Sequence, residues 1–127
     1  MASRIQNSKE VYPENEIQLR LKHQFPHWSL EHGSICRTYK TGDWRATLML
    51  VNAVGHIAEA AFHHPDIELS YASLKVKLKT HSAKGVTNKD FELAKKIEEI
   101  VLWRPGEETG ALSGLPDDPR YRYVEYD

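Results

Sequence analysis

The longest apolar stretch of the chain, Ala46 to Phe62, constrains its fold more than any other feature. Asp43 precedes the stretch as a predicted helix N-cap, and Pro65 follows it as a helix breaker. A helix here carries one apolar stripe of Trp44, Leu48, Val51, Val54 and Ala58, which Met49, Leu50, Ala53, Ile57 and Ala60 widen almost to a full circle. Helices with so little polar surface are usually buried on more than one side. In a chain of 127 residues, this predicts a helix shared between the core and the interface of a homodimer or higher homo-oligomer.

Extended segments flank this helix on both sides. Residues 28–31 and 34–41 are predicted strands, with His32-Gly33 as the hairpin turn between them. After Pro65 the apolar residues alternate in one phase over 67–71 and in the opposite phase over 74–78. A shift of one residue moves side chains to the other face of a sheet. We therefore predict two strands here, joined by a turn around residues 71–73.

Two further helices complete the pattern. Residues 14–25 place Ile17, Leu21 and Phe25 on one face, and Thr87 with Asp90 forms the capping box of a last helix. The buried stripe of that helix is predicted to be Leu93, Ala94, Ile97, Ile100 and Val101. The order α-β-β-α-β-β-α is typical of an α+β domain, here a four-stranded antiparallel sheet with helices on one face. We predict a flexible arm over 1–13, the domain over 14–103, and a C-terminal extension over 104–127 that packs on the domain or on a sister subunit.

Composition excludes several classes of protein. The formal net charge of −1 argues against nucleic-acid binding, which needs a clustered basic excess. The apolar stretch is too short and too polar to span a membrane. Cys36 has no second cysteine to pair with, so a cytoplasmic location is the expectation. No cofactor is predicted.

Histidines cluster where the central helix ends. Glu59 lies one helical turn before His63, while Pro65 favours an extended His64, so the two adjacent rings should point in different directions. His81 follows the last predicted strand, and Asp90 lies in the first turn of the last helix. The topology allows all of these to meet at one rim of the domain, where imidazoles could act as acid and base.

Simpler interpretations stay open for the same residues. His63 could only end a helix, where the dipole favours a cation, and Asp90 could only be a cap. A zinc site from His56, His63 and His81 is disfavoured, because the spacings match no common metal motif.

The set Glu59, His63, His64, Pro65, Tyr71, Thr80, His81 and Asp90 resembles the pattern of the pterin-4a-carbinolamine dehydratase family. The resemblance covers roughly residues 21–101. It implies a pocket for a reduced pterin with a hydroxyl group on C4a, and an α+β fold of the kind predicted above. It further implies catalytic roles for His63, His64 and His81, and substrate-binding roles for Glu59, Pro65, Thr80 and Asp90. No metal is implied.

The sequence also departs from the enzymes of that family. Phe62 stands before the histidine pair, where a small or polar residue is usual, and its ring could fill the pocket. Ile67 replaces a common aromatic residue, Ala72-Ser73 replaces Asn-Lys, and Lys79 precedes Thr80.

Three segments, 37–66, 97–105 and 116–127, resemble a branch of the family encoded beside α-carboxysome genes. That resemblance implies a Rubisco assembly factor or chaperone with little or no dehydratase activity, with Rubisco subunits as partners and a possible association with carboxysomes. The alternative is an active 4a-hydroxytetrahydrobiopterin dehydratase whose ligand is a reduced pterin.

Overall fold

A computed structural model describes residues 10–107 and 110–126 of the protein. The helices are α1 (Glu14–Gln24), α2 (Trp44–Ala61) and α3 (Asn88–Val101), and the strands are β1 (Ser29–Glu31), β2 (Ser34–Lys40), β3 (Asp66–Ser70) and β4 (Ser73–Leu78). The predicted order α-β-β-α-β-β-α is confirmed. Among the described residues, no helix combines the length and the hydropathy that crossing a bilayer requires.

The four strands form one antiparallel sheet in the order β1-β2-β4-β3. Both hairpins turn where the sequence predicts. His32 and Gly33 adopt left-handed backbone angles between β1 and β2 (φ 50° and 81°), which a two-residue hairpin turn requires. Tyr71 and Ala72 form the turn between β3 and β4, and Ser70 pairs with Ser73 across it.

One face of the sheet is apolar and the other is charged. Leu74, Val76 and Leu78 of β4 are fully buried beneath the helices, while the lysines between them lie on the opposite face. There Lys75 Nζ lies 2.7 Å from a Glu31 carboxylate oxygen, and Lys77 Nζ lies 2.7 Å from a Glu68 oxygen. This alternation leaves a single face for the helices to cover.

The orientation of α2 differs from the predicted stripe. Leu50, Val54 and Ile57 form the buried face together with Ala46, Thr47 and Ala58, whereas Trp44 and Leu48 are exposed. The prediction of a stripe through Trp44 and Leu48 was therefore wrong. The polar residues Arg45, Asn52, His56 and Glu59 recur along one side of the helix and are exposed. The buried face lies opposite that polar side, a signal that the predicted stripe did not use.

The predicted stripe of α3 also needs correction. Ile100 is exposed, and Phe91, which the predicted stripe omitted, is buried in the core. Tyr71 lies in the predicted turn, and its side chain is exposed. The capping box of α3 is confirmed. The Thr87 side chain accepts the backbone N–H of Asp90, and the Asp90 side chain accepts the backbone N–H of Thr87.

Segments at both ends of the chain pack on the domain. Of the predicted flexible arm, residues 1–9 lie outside the described residues, and Tyr12 is buried, with its backbone N–H donating to the Val86 carbonyl. In the C-terminal segment Val124 is only 2% exposed and forms a bridge with Thr41. The Tyr123 hydroxyl donates to the Val101 carbonyl at 3.0 Å.

Candidate functional site

The end of α2 directs the two adjacent histidines to different places. Phe62 is the C-cap and adopts the left-handed conformation (φ 51°, ψ 45°). Its backbone N–H donates to the Glu59 carbonyl, and that of His63 donates to the Ala58 carbonyl. The left-handed residue turns the chain sharply, and Pro65 keeps the chain extended beyond it. As predicted, the rings of His63 and His64 diverge, His63 toward the core and His64 toward solvent.

His63 contacts a buried carboxylate. Its Nε2 lies 2.6 Å from Asp90 Oδ1, and Asp90 is fully buried while the His63 side chain is 14% exposed. The other oxygen, Asp90 Oδ2, accepts the Thr80 hydroxyl at 2.8 Å and the Thr87 backbone N–H at 2.9 Å. The end of β4, the start of α3 and the end of α2 therefore meet at Asp90.

The other two histidines are exposed and have carboxylate partners of their own. His64 Nε2 lies 2.8 Å from Glu59 Oε1, with both side chains more than half exposed. His81 Nε2 lies 3.6 Å from Asp66 Oδ2, again between exposed side chains. Ion pairs this exposed are weak and adapt easily to a ligand or to salt.

The structure thus brings together only part of the predicted set. His63, Thr80 and Asp90 form one buried group. His64 pairs with Glu59 at the surface, and His81 pairs with Asp66 at the surface. Pro65 is half-buried and links His64 to β3. Asp66 was not predicted from the sequence as a site residue, although Asp66 is the partner of His81. Its position directly after Pro65 was the only feature that could have indicated it. Thr87 was predicted only as a helix cap, although Thr87 Oγ1 lies 2.7 Å from Thr80 Oγ1.

A groove of about 520 Å³ runs between α2 and α3 beside this group. His63 lines the groove together with apolar residues from both helices, and Lys89 and Lys96 lie on its α3 side. His64 and His81 are not among its lining residues. The Phe62 ring, at the same end, is 80% exposed and meets the His64 ring edge-on with 5.3 Å between centroids.

Other reactive groups lie apart from the histidines. Cys36 is a free, buried thiol in β2, and burial raises its pKa, which disfavours the nucleophilic thiolate. Within residues 10–107 and 110–126, no three histidine, cysteine or acidic side chains come close enough to hold a metal ion. The chemistry available at the α2 end is therefore that of imidazole and carboxylate groups.

Comparison with known proteins identifies the family to which most of the chain is similar. The family model described as "Pterin 4 alpha carbinolamine dehydratase" matches residues 10–100. A protein of Aquifex aeolicus named "Putative pterin-4-alpha-carbinolamine dehydratase" is 45% identical over 74 residues, which cover 58% of this chain and 75% of that protein. A protein of the same name from Picosynechococcus is 44% identical over 87 residues, 68% of this chain and 94% of the other.

Solved structures point the same way. A crystal structure described as a transcriptional coactivator/pterin dehydratase from Brucella melitensis aligns with a TM-score of 0.65 at 28% sequence identity. The alignment covers 72% of this chain and 98% of the Brucella chain. Since the family model spans well over half of the residues, the chain belongs to the pterin-4a-carbinolamine dehydratase family.

Proposed function

We propose that this protein is a cytoplasmic Rubisco assembly factor, associated with α-carboxysomes, that has little or no dehydratase activity. Its partners in this proposal are Rubisco subunits and further copies of itself. The link to Rubisco rests on the resemblance of segments 37–66, 97–105 and 116–127 to the carboxysome-associated branch. Two features of the structure support a role in binding protein, and a third supports low dehydratase activity.

The observation that carries the proposal is the docked C-terminal segment, which lies beyond the family match at residues 10–100. Val124 inserts into the core cluster, and the Glu125 backbone N–H donates to the Lys40 carbonyl at 2.8 Å. Tyr123 and Tyr126 pack edge-on, 6.2 Å apart, and the Arg104 guanidinium lies over the Tyr126 ring. These contacts hold the extension against the domain as an additional surface.

The extension exposes apolar side chains that its own packing does not need. Leu112, Leu115 and Tyr121 are 61%, 47% and 53% exposed, and Trp103 at the base of the extension is 53% exposed. Trp103 and Leu115 line the same cavity, and contiguous exposed apolar side chains are typical of protein-binding surfaces. We therefore assign this group of four residues, called here the tail surface, as the client-binding part of the protein.

The separation of the three histidines supports low dehydratase activity. His63, His64 and His81 each pair with a different carboxylate, and only His63 lines the groove between α2 and α3. General acid and base groups must reach the same substrate to act together. This separation supports a protein that keeps the family fold while using it for another purpose.

A co-expression experiment tests the assembly role. Rubisco subunits are produced with the wild-type protein, with Leu115→Gln in the tail surface, or with Leu19→Gln as a control. Leu19 has similar exposure (56%) but lies on α1. We expect the yield of assembled Rubisco to fall with Leu115→Gln and to stay unchanged with Leu19→Gln. If the wild-type protein gives no more assembled Rubisco than an empty vector, the proposal is wrong.

A second candidate function is the dehydratase reaction itself, favoured by the His63–Asp90 pair. In this reaction the C4a hydroxyl leaves as water after gaining a proton, and the N5 proton is removed, so that the product is a quinonoid dihydropterin. Proposed roles are proton transfer for His63, His64 and His81, and pterin binding for Glu59 and Pro65. His64 and His81 are each paired with an exposed carboxylate, so a bound pterin could draw them in.

An activity assay separates the two candidates. With 4a-hydroxytetrahydropterin as substrate, the assembly proposal predicts little dehydration by the wild-type protein. Turnover like that of ordinary dehydratases would make the second function the leading one. His63→Ala and His81→Ala should then each lower kcat by roughly a hundredfold or more, the usual scale for the loss of a general acid or base. Phe62→Asn removes the ring beside His64 and should raise any activity that this ring obstructs.

A further inference from the structure

Thr87, Thr80 and Asp90 form a hydrogen-bonded series beside His63, and the donor of each hydrogen bond in it can be assigned. Asp90 Oδ2 accepts the Thr87 backbone N–H and the Thr80 hydroxyl, at 2.9 Å and 2.8 Å. A hydroxyl group has one hydrogen, and Thr80 uses its own toward Asp90. The contact of 2.7 Å between the two threonine hydroxyls is therefore made by the hydrogen of Thr87. The hydrogen bonds run in one direction, from Thr87 through Thr80 to Asp90.

The remaining oxygen of the carboxylate faces His63. An ionised carboxylate only accepts hydrogen bonds, so the hydrogen in the 2.6 Å contact between His63 Nε2 and Asp90 Oδ1 belongs to the ring. A neutral imidazole carries one hydrogen, on one of its two nitrogens. Within the described residues the other nitrogen, Nδ1, has no hydrogen-bond partner.

We propose that Asp90 is a positioning residue, held in place by Thr80 and Thr87, that fixes His63 in the Nε2–H tautomer and leaves Nδ1 as the nitrogen that exchanges protons. This assigns Asp90 and Thr80 to the orientation of His63 instead of to direct contact with a pterin. The chemical use of Nδ1 rests on the dehydratase candidate, but the tautomer does not. When Nδ1 takes a proton, the ring becomes an imidazolium facing Asp90, and the same nitrogen later gives the proton back.

Burial makes this arrangement rigid. Asp90 and Thr87 are fully buried and Thr80 is 3% exposed, so water does not compete for their hydrogen bonds, and such networks are stronger in a low-dielectric interior. Thr80 follows β4, whereas Thr87 and Asp90 belong to the capping box of α3. The same carboxylate therefore caps a helix and orients a ring. A purely structural cap would not require any particular tautomer of His63.

Nitrogen NMR of protein labelled with 15N-histidine tests the tautomer directly, with His63→Gln used to assign the ring resonances. In the wild-type protein we expect neutral His63 to show a protonated Nε2 and an unprotonated Nδ1. Asp90→Asn keeps an oxygen for Thr80 and Thr87 but presents an NH₂ group to His63. The ring must then accept at Nε2, so the pattern should invert. A wild-type spectrum with the proton on Nδ1, or averaged between both nitrogens, would overturn the proposal.

Thr80 provides a matched pair of variants. Thr80→Ser keeps the hydroxyl and should retain the single tautomer, whereas Thr80→Val loses it and should give a mixture of the two tautomers. If Thr80→Val fails to fold, as judged by circular dichroism, the wild-type, Asp90→Asn and Thr80→Ser spectra still decide the question. An unchanged tautomer in Asp90→Asn contradicts the proposal.

The NMR result is independent of turnover, so an inactive protein with the expected tautomer would disprove the dehydratase function alone. If the protein is active, Asp90→Asn should lower kcat by roughly a hundredfold with little change in KM. If Asp90→Asn loses this much kcat while His63 keeps the wild-type tautomer, Asp90 acts in some other way than by fixing the tautomer.

Discussion

Arg37 is a buried cation that forms an ion pair with Glu98. Its side chain is 4% exposed, and its Nε donates to Glu98 Oε1 at 2.8 Å. The Tyr39 hydroxyl donates to the same carboxylate oxygen, and burial first, then the charge of Glu98, raises the pKa of Tyr39. Breaking a buried ion pair leaves an uncompensated charge. We expect Glu98→Ala to lower the free energy of unfolding by about 3 kcal/mol, measured by urea denaturation.

A neighbouring ion pair provides the control for that measurement. Lys96 Nζ lies 3.2 Å from Glu99 Oε2, and both side chains are about half exposed. Exposed pairs contribute less than about 1 kcal/mol, so Glu99→Ala should have a small effect. If Glu98→Ala and Glu99→Ala lower the free energy of unfolding equally, the burial of Arg37 does not explain the contribution of Glu98.

Phe62 is strained by its position as the C-cap of α2. Its left-handed conformation costs roughly 1–2 kcal/mol for residues with a Cβ other than asparagine or aspartate. The exposed ring makes little packing contact to offset that cost. Phe62→Asn should therefore raise the melting temperature relative to both wild type and Phe62→Ala, in a thermal scan. If the asparagine variant melts no higher than the alanine variant, the strain argument fails.

Among the larger elements, the C-terminal segment should be sensitive to alkaline pH. Burial, followed by Tyr126, raises the pKa of Tyr123. A group whose pKa is raised on folding contributes its full stability below its unfolded pKa, about 10 for tyrosine, and loses that contribution as pH rises through the folded pKa. The free energy of unfolding should therefore decline above about pH 10, as measured by urea denaturation at several pH values.

Two tyrosine variants isolate the contribution of the segment. Tyr123→Phe removes one titrating hydroxyl and should make the alkaline decline shallower, although buried Tyr39 contributes to the same decline. Tyr121→Phe serves as the matched control, because the Tyr121 side chain is about half exposed. A decline of equal steepness in wild type and Tyr123→Phe would show that this hydroxyl does not limit docking.

At the scale of the whole molecule, the outer face of α2 predicts self-association. Trp44 and Met49 are 46% and 52% exposed, and Leu48 is 39% exposed. We expect sedimentation at micromolar concentration to show a homodimer or larger assembly. Met49→Glu should shift it toward monomer, because a charge in an apolar interface is costly. Leu19→Glu, at an exposed position of α1, should not shift it. A monomeric wild-type protein would exclude this interface.

Local patterns in the sequence determined which segments became helices and strands. The change of phase between residues 67–71 and 74–78 predicted the turn at Tyr71 and Ala72, and Thr87 with Asp90 predicted the start of α3. Proline at position 65 predicted the divergence of His63 and His64. Each of these features depends on residues close together in the chain, whose backbone preferences act without any distant contact.

Tertiary structure decided what those elements face. The apolar part of α2 is wider than the face that the sheet covers, so packing decided that Leu50 and Val54 are buried while Trp44 at its edge stays exposed. The topology allowed Glu59 and Asp90 to approach the histidines, but the sequence did not indicate which carboxylate pairs with which ring. Asp90 lies 27 residues after His63, and the residues that hold it come from β4 and α3. Which carboxylate meets which imidazole depends on long-range packing, because residues distant in sequence become neighbours only when the chain folds.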